Sequence, residues 1–207
     1  MKPRAFIYVD GFNLYHRKLQ GTVHRWLNPM LLCAALVQDC SIEGTRYFTA
    51  QTSARPGHPY APAKQQIYFR ALRTIPNLTI HLGQFKTRPR SMPLASNPSQ
   101  CVTVLRTDEK GSDVNLATAL LVDGWKDRYD TAVVVSKDTD LRAPIAAVRD
   151  ELGKKVIVVL PMSNGGQGLL PADSFRHIRA THLQAAQFPE TLTDAIGIFR
   201  RPRGWGV

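Results

Sequence analysis

The chain has 207 residues, 43% hydrophobic and 21% charged. This composition excludes a disordered chain, a collagen or a coiled coil, and the length suits one domain with its own core. Lys and Arg number 27 against 16 Asp and Glu, a net +11 that favours a polyanionic partner, nucleic acid being the usual one.

Apolar runs are short, so no membrane span is expected, and residues 5–9 are too few for a signal-peptide core. A cytoplasmic protein with reduced, mostly buried Cys33, Cys40 and Cys101 follows. In chain order, residues 5–10 (Ala-Phe-Ile-Tyr-Val-Asp) read as a buried strand closed by a carboxylate. Asn28-Pro29 opens a helix running to Val37. Residues 45–50 are β-branched and aromatic and predict a second strand. Residues 53–62 hold three prolines and predict a loop. A helix over 63–73 and a strand over 78–85 follow.

Residues 86–98 carry three prolines and are expected to form an exposed, mobile arm. Lys86, Arg88 and Arg90 alternate along it and would share one side of an extended segment, where they could follow a phosphate backbone toward an acidic site. Residues 102–106 predict a strand. Residues 113–125 are apolar almost all round, the mark of a buried helix. A strand over 130–136, a helix over 140–152 ended by Gly153, and a strand over 155–160 complete the pattern. Residues 164–168 predict a flexible glycine loop, and the basic stretch 200–207 a loosely held end. The domain is expected over 1–190, with a basic tail over 191–207. Alternating strands and helices, with continuous apolar strands, argue an α/β fold whose mainly parallel sheet is covered on both faces. Such a sheet has its ligand site at the carboxyl ends of its strands.

Four aspartates are expected at that edge. Asp10 ends the first strand, Asp113 opens the buried helix, and Asp138 and Asp140 follow the 130–136 strand. In extended backbone, positions i and i+2 point the same way, which would turn Asp138 and Asp140 toward one point. Singly, each is an ordinary turn former or helix cap. Together, they are costly unless cations neutralise them, and hard oxygen ligands suit Mg²⁺ or Mn²⁺. Asp123 lies ten residues past Asp113, ~15 Å along a helix, and is left as a cap or structural group. No Gly-x-Gly-x-x-Gly after a strand, Walker lysine or Gly-x-Ser-x-Gly elbow competes.

The segments Tyr-Val-Asp-Gly-Phe-Asn (8–13), Glu-Lys-Gly-Ser-Asp-Val-Asn-Leu-Ala (109–117) and Val-Ser-Lys-Asp-Thr-Asp-Leu (135–141) resemble the bacterial NYN domain family, the LabA-like branch of PIN-like nucleases. Residues 68–72 and the Gly83-x-Phe85 step are similar too. The resemblance implies a Rossmann-like three-layer α/β/α sandwich and divalent-metal phosphodiesterase chemistry, usually on RNA. By matching positions it makes Asp10, Asp113, Asp138 and Asp140 the metal-site residues, with Asn13 orienting a ligand or water and Ser136 in the polar position before the last pair. Lys137 departs from the Gly or Asn of many relatives and sets a cation beside the acidic pair.

The resulting expectation is a Mg²⁺- or Mn²⁺-dependent ribonuclease, an endonuclease, acting on RNA or also DNA. Lys86, Arg88, Arg90, Lys110 and Lys137 are the candidate phosphate contacts. The alternative is a non-catalytic RNA-binding or regulatory module. A haloacid-dehalogenase-type phosphatase needs a second Asp where Phe12 stands.

Overall fold

The computed structural model describes residues 1–54, 56–162 and 170–205; the predicted glycine loop 164–168 lies outside them. Seven strands form one sheet in the order β4-β3-β2-β1-β5-β6-β7. They are β1 (Arg4–Asp10), β2 (Ser41–Ala50), β3 (Leu78–Leu94), β4 (Asn97–Lys110), β5 (Thr131–Val135), β6 (Lys155–Leu160) and β7 (Ser174–His177). All neighbours are parallel except β3 and β4, which form an antiparallel hairpin. The mainly parallel α/β expectation holds.

Strand alternation divides the core in two. Ile7, Val9, Val133, Val135, Ile157 and Val159 face one helical layer, and Tyr8, Ala132, Val134, Val156, Val158 and Leu160 face the other. The first layer holds α1 (Gly11–Leu14), α2 (Pro29–Leu36), α3 (Ala61–Arg73) and α6 (Ala180–Ala185). The second holds α4 (Ser112–Trp125) and α5 (Arg142–Asp150). Because both faces are covered, the central strands read as unbroken apolar runs. Among the described residues, no helix is long and apolar enough to cross a membrane.

The proline-bearing arm over 86–98 is a correction. It is exposed, as expected, but it is strand: β3 continues past Gly83 and pairs with β4 from Gln84↔Lys110 out to Leu94↔Asn97. β2 ends opposite Gly83, so the outer part of β3 is itself an edge, where Pro89 and Pro93 are tolerated. Thr87 and Thr107 hydrogen-bond across the ladder at 2.8 Å. Cys101 lies on this hairpin and is exposed, unlike buried Cys33.

Two further expectations change. α4 is not buried all round: Val114, Val122 and Trp125 are exposed. Residues 191–205 are held, not loose. β8 (Thr191–Asp194) and β9 (Gly197–Arg200) form a hairpin, tied to α3 by the paired bonds of Arg70 to Asp194, each 2.8 Å. Beyond it, the Trp205 ring lies 5.8 Å from that of Tyr68.

Candidate functional site

The carboxyl edge of the sheet gathers the site. β1 ends in Asp10, and the chain then turns sharply into α1, with the Asp10 carboxylate accepting the Asn13 N–H at 2.9 Å as an N-cap. Gly11 is required at this turn, since a Cβ would lie 2.7 Å from the Phe48 carbonyl oxygen and from the Tyr47 ring. At the end of β5, the buried Ser136 hydroxyl donates to Asp10 at 2.8 Å and accepts the Asp138 N–H at 3.0 Å. The Asn13 side-chain oxygen accepts the Lys137 N–H at 3.2 Å. Ser136 and Asn13 thus clamp the ends of two adjacent parallel strands together, setting Asp138 beside Asp10.

The third wall comes from the hairpin and α4. Glu109, near the end of β4, accepts both the N–H and the hydroxyl of Ser112, at 3.1 and 2.8 Å, fixing the first turn of α4 that carries Asp113. Gly83 permits this crossing: a Cβ there would collide with the Glu109 carboxylate and lie 2.7 Å from the Lys110 carbonyl oxygen. Glu109 was not singled out as a site residue. Its position three residues ahead of a helix-opening serine was the available signal.

Carboxylate oxygens of Asp10, Asp113 and Asp138 lie within 4.8 Å of one another. Asp140 does not belong to this group. A 3₁₀ turn over Thr139–Leu141 follows Asp138 directly, and Asp138 caps it by accepting the Asp140 N–H at 3.1 Å. The turn replaces the extended backbone that would have aligned the pair, and Asp140 is exposed. Its charge still acts on Asp113, whose pKa is pushed up to about 6 by burial and by Asp10, Asp138, Glu109 and Asp140. Burial also raises Asp10, against the lowering effect of its bonds from Asn13 and Ser136. Three oxygen donors that repel one another in a half-enclosed spot fit a hard divalent cation, which would relieve the repulsion.

The expected cations do not all face this centre. Lys137 sits between Ser136 and Asp138, and Lys110 closes β4. Lys86, Arg88 and Arg90 alternate on β3, and register places Arg106 opposite Arg88 and Lys110 opposite Gln84. These five residues therefore share one face of the hairpin. That face is the reverse of the one carrying Phe85 and Glu109, which turn toward the centre; Phe85 packs edge-on against Phe12 at 5.6 Å. Strand parity thus turns the cations' side away from the centre at the hairpin base, contrary to the expected track.

Asp123 is a structural group, as expected. It is buried on α4 and bound by the guanidinium groups of Arg46 and Arg128 and by the Tyr8 hydroxyl at 2.9 Å.

Among known proteins, the chain is similar to 6-hydroxy-3-succinoylpyridine 3-monooxygenase HspA of Pseudomonas putida, with 27% identity covering 91% of this chain and 71% of that protein. Its fold is similar to a crystal structure of VPA0982, a protein of unknown function from Vibrio parahaemolyticus, with a TM-score of 0.54 and 20% identity over 86% of this chain and 94% of that one. That likeness bears on the fold alone. The NYN domain pattern matches residues 4–178, a span that takes in every strand of the sheet and all three clustered aspartates. The chain belongs to the NYN domain family.

Proposed function

We propose that this protein is a divalent-metal-dependent ribonuclease of the LabA-like branch, cutting RNA internally. The observation that supports this most is the convergence of Asp10, Asp113 and Asp138 at the carboxyl edge of a chain carrying net +11. Asp10, Asp113 and Asp138 would hold Mg²⁺ or Mn²⁺, with Asp140 adding charge from the rim. A bound cation would neutralise charge on a phosphodiester and activate water for its hydrolysis. Ser136 and Asn13 position the carboxylates, and Lys137, beside Asp138, offers a contact to a flanking phosphate.

Cleavage of mixed RNA and DNA substrates with Mg²⁺, Mn²⁺ or EDTA tests the proposal, with Asp10→Asn prepared in parallel. Activity that persists in excess EDTA, or in the variant, overturns it. Binding without cleavage in any metal returns the protein to an RNA-binding module. A second reading, monooxygenation with one oxygen atom of O₂ entering the ring and the other leaving as water at the expense of a two-electron donor, rests on the similarity to the Pseudomonas enzyme, and turnover of 6-hydroxy-3-succinoylpyridine by the purified protein supplied with O₂ and such a donor would favour it.

The hairpin face makes a separable prediction. Replacing Lys86, Arg88 and Arg90 together by Ala should weaken RNA binding and reduce the slope of log affinity against log salt by up to ~2–3. The rate at saturating RNA should change far less, because the carboxylates are untouched. An unchanged salt slope would leave the cations as ordinary solvated surface.

A further inference from the structure

The outer face of α4 carries a feature that the acidic centre does not use. Val114, Thr118 and Val122 recur every fourth residue, and Trp125 follows one turn on, so the four form a stripe along one side. Val114 is 69% exposed and Trp125 80% exposed. Solvated helix faces are normally polar, yet α4 (Ser-Asp-Val-Asn-Leu-Ala-Thr-Ala-Leu-Leu-Val-Asp-Gly-Trp) contains no Lys or Arg, in a chain with net +11. Beside the stripe, where β4 has not yet joined β3, a groove of about 510 Å³ runs between α4 and the open edge of β3, lined by Ile80, Leu82 and Val122 and also by the ionic Arg46, Asp123 and Arg128. A projecting indole and a groove with both apolar and ionic lining thus occupy one surface.

We propose that this surface binds a second copy of the chain, with the two α4 helices packed antiparallel about a two-fold axis between Thr118 and Val122. A two-fold interface must be self-complementary, and this one is. Reversing the helix about that axis carries Trp125 of each copy over the Asn115–Leu82 end of the other's groove. It also carries Lys126, just past the helix, toward the acidic Glu109–Asp113 end of the partner, so the charges at the two ends attract. The stripe itself is uncharged, and the two arginines in the groove beside it, Arg46 and Arg128, are both paired with Asp123. Each indole can remove roughly 150–250 Å² from water. With Val114, Val122 and Leu82 from both copies, the total approaches the ~1,000 Å² expected of a specific interface. Tryptophan is also among the residues enriched at the energetic centres of such contacts.

Sedimentation equilibrium from micromolar to several hundred micromolar protein tests this, read with tryptophan emission. The wild type should shift from 23.1 kDa toward twice that mass as concentration rises. Its emission should move to the blue, because Trp125 leaves water while Trp26 is already buried. Trp125→Glu should stay monomeric and correctly folded by circular dichroism, and Lys126→Glu should weaken the dimer at low salt. Leu105→Glu, at a 77% exposed hairpin position, should dimerise like the wild type. A monomer at every concentration overturns the proposal, as does a dimer that survives Trp125→Glu or is lost in Leu105→Glu.

Discussion

Asp113→Asn should abolish metal-dependent RNA cleavage and leave the metal-free protein at least as stable as the parent near neutral pH. The carboxylate is half-buried among other carboxylates, and its pKa rises from 3.8 to about 6. For an acid with a raised folded pKa, the native state holds the proton more tightly than the unfolded chain. That contribution is full below the ordinary carboxylate range and is lost as pH climbs through about 6. The parent in EDTA should therefore lose stability between pH 4 and 6, roughly 1 kcal/mol once solvent screening is discounted. The Asn variant should lack this decline. Denaturant melts at stepped pH, with and without Mn²⁺, separate the outcomes. Identical pH profiles for parent and variant would show that the three carboxylates are not in tension.

The second large effect is on the fold. Asp123→Ala should destabilise the protein by about 3–5 kcal/mol, the usual result of removing one partner from a buried ion pair. The Tyr8 hydroxyl, on a fully buried ring, loses its acceptor, and Arg46, with a side chain 15% exposed, keeps a charge without its counter-ion. Burial pushes the Asp123 pKa up, but Arg46, Tyr8 and Arg128 together hold it below the ordinary range. Its contribution is thus present above that range and is lost as pH falls through it. The parent should show an acid-unfolding limb below about pH 4 that flattens in the variant. Thermal melts at pH 3 and pH 7 check this, and a loss equal at both would remove the ion pair as its source.

Particular residues show how much the sequence disclosed. β1, β5 and β6 were legible because a strand buried on both faces must be apolar throughout. Asp10, Asp113 and Asp138 were legible because a parallel sheet sends the ends of its strands to one edge. The expected alignment of Asp138 with Asp140 failed because the two-residue period holds only in extended backbone, and Asp138 itself caps a 3₁₀ turn. The hairpin was hidden by Pro89, Pro93 and Pro98, which read as loop formers wherever the partner strand is unknown. In the structure, register leaves Pro89 and Pro93 on a strand with no neighbour on its second side. The outer stripe of α4 was masked by the same uniform apolarity that marks a buried helix.

β3 belongs to two regions of different cooperativity. As far as Gly83 its backbone is paired in the parallel sheet and backed by the helical layers; beyond Phe85 it is paired only with β4, with solvent on both faces. Local opening of the outer hairpin exposes little new apolar surface, so it costs far less than global unfolding. Protection of the amides from hydrogen exchange along this one strand should therefore drop in a step between Gly83 and Arg88 rather than fray gradually toward the tip. Residues 95–96 should be the first site of proteolytic nicking in the hairpin. The sheet would survive such a cut, because Asp10, Asp113 and Asp138 are all anchored below the step.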